Sequence, residues 1–344
     1  MTRAPTTSKP QAMVRRWAQI SKIALLLSLA AAAPAPQPTI RELLELLRRD
    51  DIRLASVGQR LAVRNVALCR EKRAWVVLVV HTVDQYQPSI RADAIALFAF
   101  PTPVAVEAIL PDGAAANGSI VANDGIVAVG DHASLLNPPL PANPASTKRR
   151  DAAERAIADL APEVPARFAI RHAGVDRTVS LTPRAGCQAR FEVHELDEAA
   201  ADGSIVQIGA SYMDGFDPEW LPVIVAHELA HIILKHRARM DAAGVKYGIF
   251  SELGRSGRLH AQAESQADRL SVYLLFNAGY DPRLAGAFWR GPGKKLDGGL
   301  FRNRAYRSWR ERATALDAEA ANIPTKVTAP FVPPMIALAD QPMR

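Results

Sequence analysis

Trp220-Leu221-Pro222-Val223-Ile224-Val225-Ala226-His227-Glu228-Leu229-Ala230-His231-Ile232-Ile233-Leu234 is almost uninterruptedly apolar except at His227, Glu228 and His231. A helix of this composition is apolar on every face and therefore buried, and buried imidazoles and carboxylates need partners. Positions i and i+4 share one helical face, so His227 and His231 can present two nitrogens to one metal ion while Glu228 lies one residue around. With eight histidines in 344 residues, a chance His-Glu-x-x-His arises in roughly one such chain in a hundred.

Catalytic zinc takes three protein ligands and keeps a fourth position open. The third donor must come from elsewhere, and Glu264 in Glu264-Ser265-Gln266-Ala267-Asp268 is our choice. Asp268 lies four residues on, on the same helical face, where a carboxylate can hydrogen-bond the far nitrogen of a ligand histidine and fix its tautomer. Glu252 and His260 are rival ligands in a Gly/Ser/Arg-rich stretch that reads as a loop, and loops hold ligands less rigidly. One Zn2+ per chain is the expected cofactor, although nitrogen and carboxylate donors also accept other divalent ions.

His-Glu-x-x-His followed by Glu264-x-x-Ala267-Asp268 resembles the gluzincin peptidases that include the CAAX prenyl protease and the bacterial membrane protease HtpX. Glu219-Trp220-Leu221 before the motif, His236 five residues after His231, and Ala278-Gly279-Tyr280-Asp281-Pro282 further on extend the likeness, as does the strand-like stretch Ala200 to Val206 upstream. The resemblance covers about residues 187–316. It implies that His227, His231 and Glu264 hold zinc, that Glu228 is the catalytic base, and that Asp268 orients a ligand. It also implies an extended substrate lying against an edge strand at Ser204 to Ile208. One departure stands out: where that family has a Ser/Thr-His-Pro element, this chain reads Tyr306-Arg307-Ser308-Trp309-Arg310-Glu311-Arg312, without a histidine. Tyr306 and Arg310 are the groups there able to assist an oxyanion, but so basic a run reads first as a solvated helix face.

Upstream, Thr39 and Glu42 suit a capping box for an amphipathic helix from Thr39 to Arg48. Ala74 to Val80 and Ala94 to Phe100 read as short apolar strands. Val104 to Ala115, a turn at Asn117-Gly118, Asn123-Asp124-Gly125-Ile126-Val127-Ala128-Val129-Gly130, a helix over Asp151 to Leu160 and a hairpin over Phe168 to Pro183 follow. This passage resembles a PDZ domain of the bacterial protease type, which implies a sheet edge able to take up a peptide. A mixed α/β spacer packed on the peptidase is the alternative.

Arg15, Arg16 and Lys22 precede the apolar run Ile23 to Ala33 and then Pro34-Ala35-Pro36, the shape of a secretory signal peptide. The run is shorter than the ~20 residues that cross a bilayer. A periplasmic or secreted location is therefore expected, with a retained N-terminal anchor as the alternative. Five basic residues and no acidic ones precede Ala35, so the net charge of +7 falls to about +2 without them and gives no reason to invoke nucleic acid. Cys69 and Cys187 are the only cysteines; one disulfide and two buried thiols are both open. Pro324, Pro330, Pro333, Pro334 and Pro342 predict an extended or mobile tail.

The expected fold class is α+β: a mostly helical zincin-like metallopeptidase domain with a small edge sheet (187–321), preceded by a signal peptide (1–35) and a PDZ-like β-rich domain (36–186), and followed by a Pro-rich tail (322–344). The expected function is a zinc endopeptidase of the cell envelope acting on unfolded or flexible protein segments, with protein or peptide substrates, no transmembrane span in the mature chain, and envelope proteins as candidate associates. A non-cleaving peptide-binding or chaperone-like protein with a structural zinc, closed by a fourth ligand from Glu252, His260 or His236, is the alternative.

Overall fold

Thr39 opens the first helix, α1 (Ile40–Arg64), with both halves of a capping box: its hydroxyl accepts from the Glu42 N–H at 3.2 Å and the Glu42 carboxylate accepts from the Thr39 N–H at 2.7 Å. The computed structural model describes residues 38–111, 119–132, 145–195, 198–245, 254–296, 308–327 and 329–343. The leader (1–35), the Asn117-Gly118 turn, Glu252 and Tyr306 lie outside them. From Pro38 onward the chain is one contact unit.

The first helix runs well past the expected Arg48 because Leu54, Leu61 and Ala62 stay on one face and are buried in the main core. Gly58 permits the closest approach on that helix, since a Cβ there would collide with the Phe191 ring. Asn65 ends α1, donating to Leu61 O and Leu274 O at 2.9 and 3.1 Å and accepting from Asn277. These bonds tie the end of α1 to a helix more than 200 residues on in sequence.

The stretch expected as one strand over Ala74 to Val80 is two, β1 (Lys72–Trp75) and β2 (Leu78–Thr82). Ala94 to Phe100 is not a strand at all. It belongs to helix α2 (Arg91–Phe98), with Ala94 and Phe98 buried four residues apart and Ala99 ending it at φ 62. A short apolar run has no periodicity long enough to decide between the two states, and here the i, i+4 pair packing on Tyr86 decided it. Next come β3 (Val104–Ile109), β4 (Gly125–Val129), α3 (Lys148–Ala158), β5 (Ala166–His172) and β6 (Val175–Leu181). Strands β2, β3, β4, β5 and β6 form an antiparallel sheet in that order. Ala173 and Gly174 join β5 to β6 with φ of 48 and 80, the paired positive values a two-residue hairpin turn requires. Val80, Val106, Ile126, Phe168 and Ile170 bury one face of the sheet against Ala153 and Ile157 of α3.

β7 (Arg184–Cys187) pairs with β1, and β8 (Arg190–His194), β9 (Ala199–Ala201) and β10 (Ile205–Gly209) make a three-stranded sheet in the order β8-β10-β9. Cys69 and Cys187 are disulfide-bonded with Cα atoms 5.4 Å apart, linking the chain just after α1 to β7. The rest is helical: α4 (Ala210–Gly215), α5 (Leu221–Ile233), α6 (His236–Ala242), α7 (Gly254–Asn277), α8 (Leu284–Arg290) and α9 (Trp309–Ala321). Helices α1, α7 and α8 pack around α5, and α9 closes over α7 and α8. Thus α1, read from sequence as part of residues 36–186, contributes its buried face to the core built around α5. The fold is a mixture of α and β, as expected. Among the described residues no helix is long and apolar enough to cross a membrane.

The Pro-rich tail is not extended away from the body. Ile336 and Ala339 are buried in a short 3-10 segment, Arg70 pairs with Asp340 at 2.7 Å, and Arg239 donates to Gln341 O at 2.7 Å. Its prolines preclude regular helix but leave apolar side chains free to dock.

Candidate metal centre

Pro222 sits in the first turn of α5, where its missing N–H costs no helical bond and its fixed φ suits the helix. Behind it, Val223, Ile224, Val225, Ala226, Leu229, Ala230 and Ile233 are buried, so the helix is enclosed as its composition requires. His227 and His231 leave the same face, and α7 crosses α5 so that Glu264 meets them. The Nε2 atoms of the two histidines are 3.2 Å apart; Glu264 Oε2 lies 3.3 Å from His227 Nε2, and Glu264 Oε1 lies 3.5 Å from His231 Nε2. Bonds of ~2.05 Å in a tetrahedral zinc site place the donors about 3.3 Å from one another. The three side chains therefore match, in donor type and spacing, what a zinc ion takes. This is the sole such group of three metal-capable side chains among the described residues.

The far nitrogens are also held. His227 Nδ1 lies 3.1 Å from Asp268 Oδ1, and Asp268 accepts two hydrogen bonds from Arg312 of α9, from Nε and Nη2, both at 2.6 Å. Arg312 in turn stacks on the Trp289 ring, its guanidinium carbon 3.6 Å from the centroid. His231 Nδ1 lies 3.1 Å from His236 Nδ1, His236 Nε2 lies 3.0 Å from Gln266 Oε1, and Gln266 accepts from Arg239 at 3.2 Å. Each imidazole is thus oriented through its second nitrogen by a chain of side chains ending in an arginine.

Charge follows this wiring. Burial pulls against a cationic His227, but its bonds to Asp268 and Glu264 outweigh that and push it up to about 10. Burial moves His231 down to about 4 and His236 to about 3. Burial alone would raise Glu264, yet the bond from His227 and the charges of His231, His227 and Arg312 hold it well below the usual carboxylate range. Glu228 is pushed up to about 7, chiefly by burial and then by the nearby Glu264 and Asp268 charges. It is 8% exposed and borders the cleft rather than joining the donor group.

A cavity of about 210 Å³ opens on His227, Glu228 and Glu264, walled by Tyr212, Phe288 and Trp289. Ala199 of β9 lines it as well. The strand at Ser204 to Ile208, expected to be the substrate-binding edge, is instead the middle of its sheet, flanked by β8 and β9. The outer strand on the cleft side is β9. Strand order is set by which neighbouring strands pair, here β10 parallel to β8 and antiparallel to β9, and the pattern within one strand does not encode that.

The rival ligands separate. His260 lies on α7 outside the donor group, and His236 faces the back of His231 rather than the cluster. Of the basic run on α9, Arg310 stacks on Trp309 at the surface. Arg312, read from sequence as part of a solvated face, is the member that turns inward. Its signal was weak: a single arginine four residues from an apolar position on a short helix. No family model and no curated protein matches the sequence.

Proposed function

We propose that this chain is a zinc-dependent endopeptidase of the gluzincin type, similar to the CAAX prenyl protease and HtpX group, acting on unfolded or flexible protein segments in the cell envelope. The observation that carries the reading is the convergence of His227, His231 and Glu264 at mutual distances of 3.2, 3.3 and 3.5 Å beside a buried Glu228. A zinc ion held there supplies Lewis acidity that polarises a peptide carbonyl and makes a water more acidic. Glu228, raised to about 7 by its burial, takes the proton of the attacking water and returns it to the leaving amine. Asp268 and His236 engage the Nδ1 atoms of the two imidazoles, so that Nε2 is the atom each would offer to a metal ion.

Substrate positioning falls to β9 and the aromatic wall. An extended peptide paired with the outer edge of β9 passes the cleft with main-chain hydrogen bonds, and its alanines leave room for the incoming strand. Tyr212, Phe288 and Trp289 favour an apolar side chain next to the scissile bond. The antiparallel sheet with α3 packed on one face supports the PDZ-like reading of that part of the chain. The apolar run Ile23 to Ala33 and the Cys69–Cys187 disulfide support an oxidising, periplasmic or secreted setting.

Incubating denatured casein with wild type and Glu228→Gln, each assayed for bound zinc, tests the proposal. Wild type cleaves and a chelator stops it, whereas Glu228→Gln keeps its zinc and loses turnover by about 10²–10⁴-fold. Equal cleavage by a clean preparation of the variant overturns the base assignment. Zinc with four protein ligands and no cleavage by wild type favours the non-cleaving binder.

A further inference from the structure

Behind His231 the buried polar groups form a line that ends on the Pro-rich tail. Gln341 O accepts from Arg239 Nε at 2.7 Å, Arg239 Nη1 donates to Gln266 Oε1 at 3.2 Å, His236 Nε2 lies 3.0 Å from the same oxygen, and the Nδ1 atoms of His236 and His231 are 3.1 Å apart. Arg239 is buried, and its guanidinium also donates to Leu234 O at 3.1 Å. Among the described residues no carboxylate pairs with Arg239. Neutral oxygens hold it, and the shortest of these bonds runs to the tail.

Protons along this line are not independent of one another. A guanidinium has donors and no acceptor, so the Gln266 atom it meets is the amide oxygen. That oxygen only accepts, which puts the proton of a neutral His236 on Nε2 and leaves a lone pair on its Nδ1. The lone pair takes the His231 Nδ1 proton, so His231 Nε2, which faces His227 and Glu264, stays unprotonated. The tail makes a second contact nearby: Met343 is buried with Met240 of α6 and with Leu259 and Ala263 of α7, the last of them next to Glu264. We propose that the docked tail is a positioning element of the candidate metal centre, in which the Gln341 carbonyl anchors Arg239, and Arg239, through Gln266 and His236, fixes His231 as the Nδ1–H tautomer. Undocking the tail therefore weakens metal binding without touching a ligand. The effect on affinity rests on the zinc reading of the site, whereas the tautomer does not.

The full chain, a chain ending at Asp340, Arg239→Met, Gln266→Met and Gln266→Glu are compared by two measurements. Nitrogen-15 NMR of the histidine-labelled, metal-free protein reads the tautomers, with the His231 and His236 signals assigned by their loss in His231→Gln and His236→Gln, and competition against a chelator reads zinc affinity. In the full chain His231 carries its proton on Nδ1 alone. The shortened chain, Arg239→Met and Gln266→Met show mixed tautomers and bind zinc about tenfold more weakly. Gln266→Glu, whose carboxylate can only accept, keeps the Nδ1–H tautomer and binds zinc within about threefold of wild type, a rescue that a merely structural role of residue 266 does not give. His231 protonated on Nε2 in the full chain, or a shortened chain with the tautomer and affinity of the full one, would overturn the proposal. If removing residues 341–344 unfolds the protein, the contrast at residue 266 decides, and equal tautomers and affinities in Gln266→Met and Gln266→Glu overturn it. Tautomers that follow the tail in a full chain that takes up no zinc uphold the relay and refute the metal reading instead.

Discussion

Replacing Arg312 with leucine isolates what holds the back of the candidate metal centre. The guanidinium gives the Asp268 carboxylate two hydrogen bonds of 2.6 Å and lies 3.8 Å from Glu264, and the two partners' side chains are only 14% and 8% exposed. Solvent screening therefore discounts the pair little, and removing one partner leaves a buried carboxylate with a single remaining bond, to His227. Breaking such a pair costs about 3–5 kcal/mol. Because Asp268 also sets the orientation of His227, zinc affinity should fall by about 10–100-fold. Urea unfolding of the metal-free protein reads the first effect, and competition against a zinc chelator the second. A double-mutant cycle with Asp268→Asn separates the ion pair from the stacking of Arg312 on Trp289. With the charge gone from residue 268, Arg312→Leu should cost about 1 kcal/mol or less. The same cost in both backgrounds, or an unchanged zinc affinity in the single variant, would refute the reasoning.

His81 is fully buried beside Tyr86, to which its Nδ1 lies 3.1 Å, and burial with the neighbouring Arg48 charge moves it down to about 3. Since its folded value lies below the ordinary 6.5, its contribution is intact above pH 6.5 and is lost as pH falls from there toward 3. The stability advantage of wild type over His81→Leu should shrink by about 2–3 kcal/mol between pH 6.5 and 4.5, measured by urea unfolding; a constant difference would count against a neutral buried imidazole. Gly58→Ala should destabilise by about 1–3 kcal/mol through the Phe191 ring, and Gly58→Ala with Phe191→Leu should recover most of it, both read by thermal melting.

Helical periodicity is local, and it made most of the site visible. His227 and His231, and likewise Glu264 and Asp268, share faces at i, i+4 whatever the rest of the chain does, and the capping box of Thr39 and Glu42 closes over three residues. What escaped depends on partners outside the segment itself. Arg312 is indistinguishable from Arg310 until α9 is laid across α7. The inner position of β10 depends on its pairing with β8 on one side and β9 on the other. Ala94 to Phe100 was read as strand because seven apolar residues carry too little periodicity, and the helix emerges only once Phe98 has Tyr86 and Phe100 to pack against. The disulfide, too, needed the two cysteine Cα atoms brought to 5.4 Å by the pairing of β7 with β1.

Zinc K-edge X-ray absorption on the metal-loaded wild-type chain tests the central claim most directly. The expected result is one zinc per chain with four nitrogen or oxygen neighbours at about 2.0–2.1 Å, two of them imidazole, and loss of tight binding in Glu264→Ala. Three or more imidazoles, a sulfur neighbour, or undiminished binding by Glu264→Ala would contradict it.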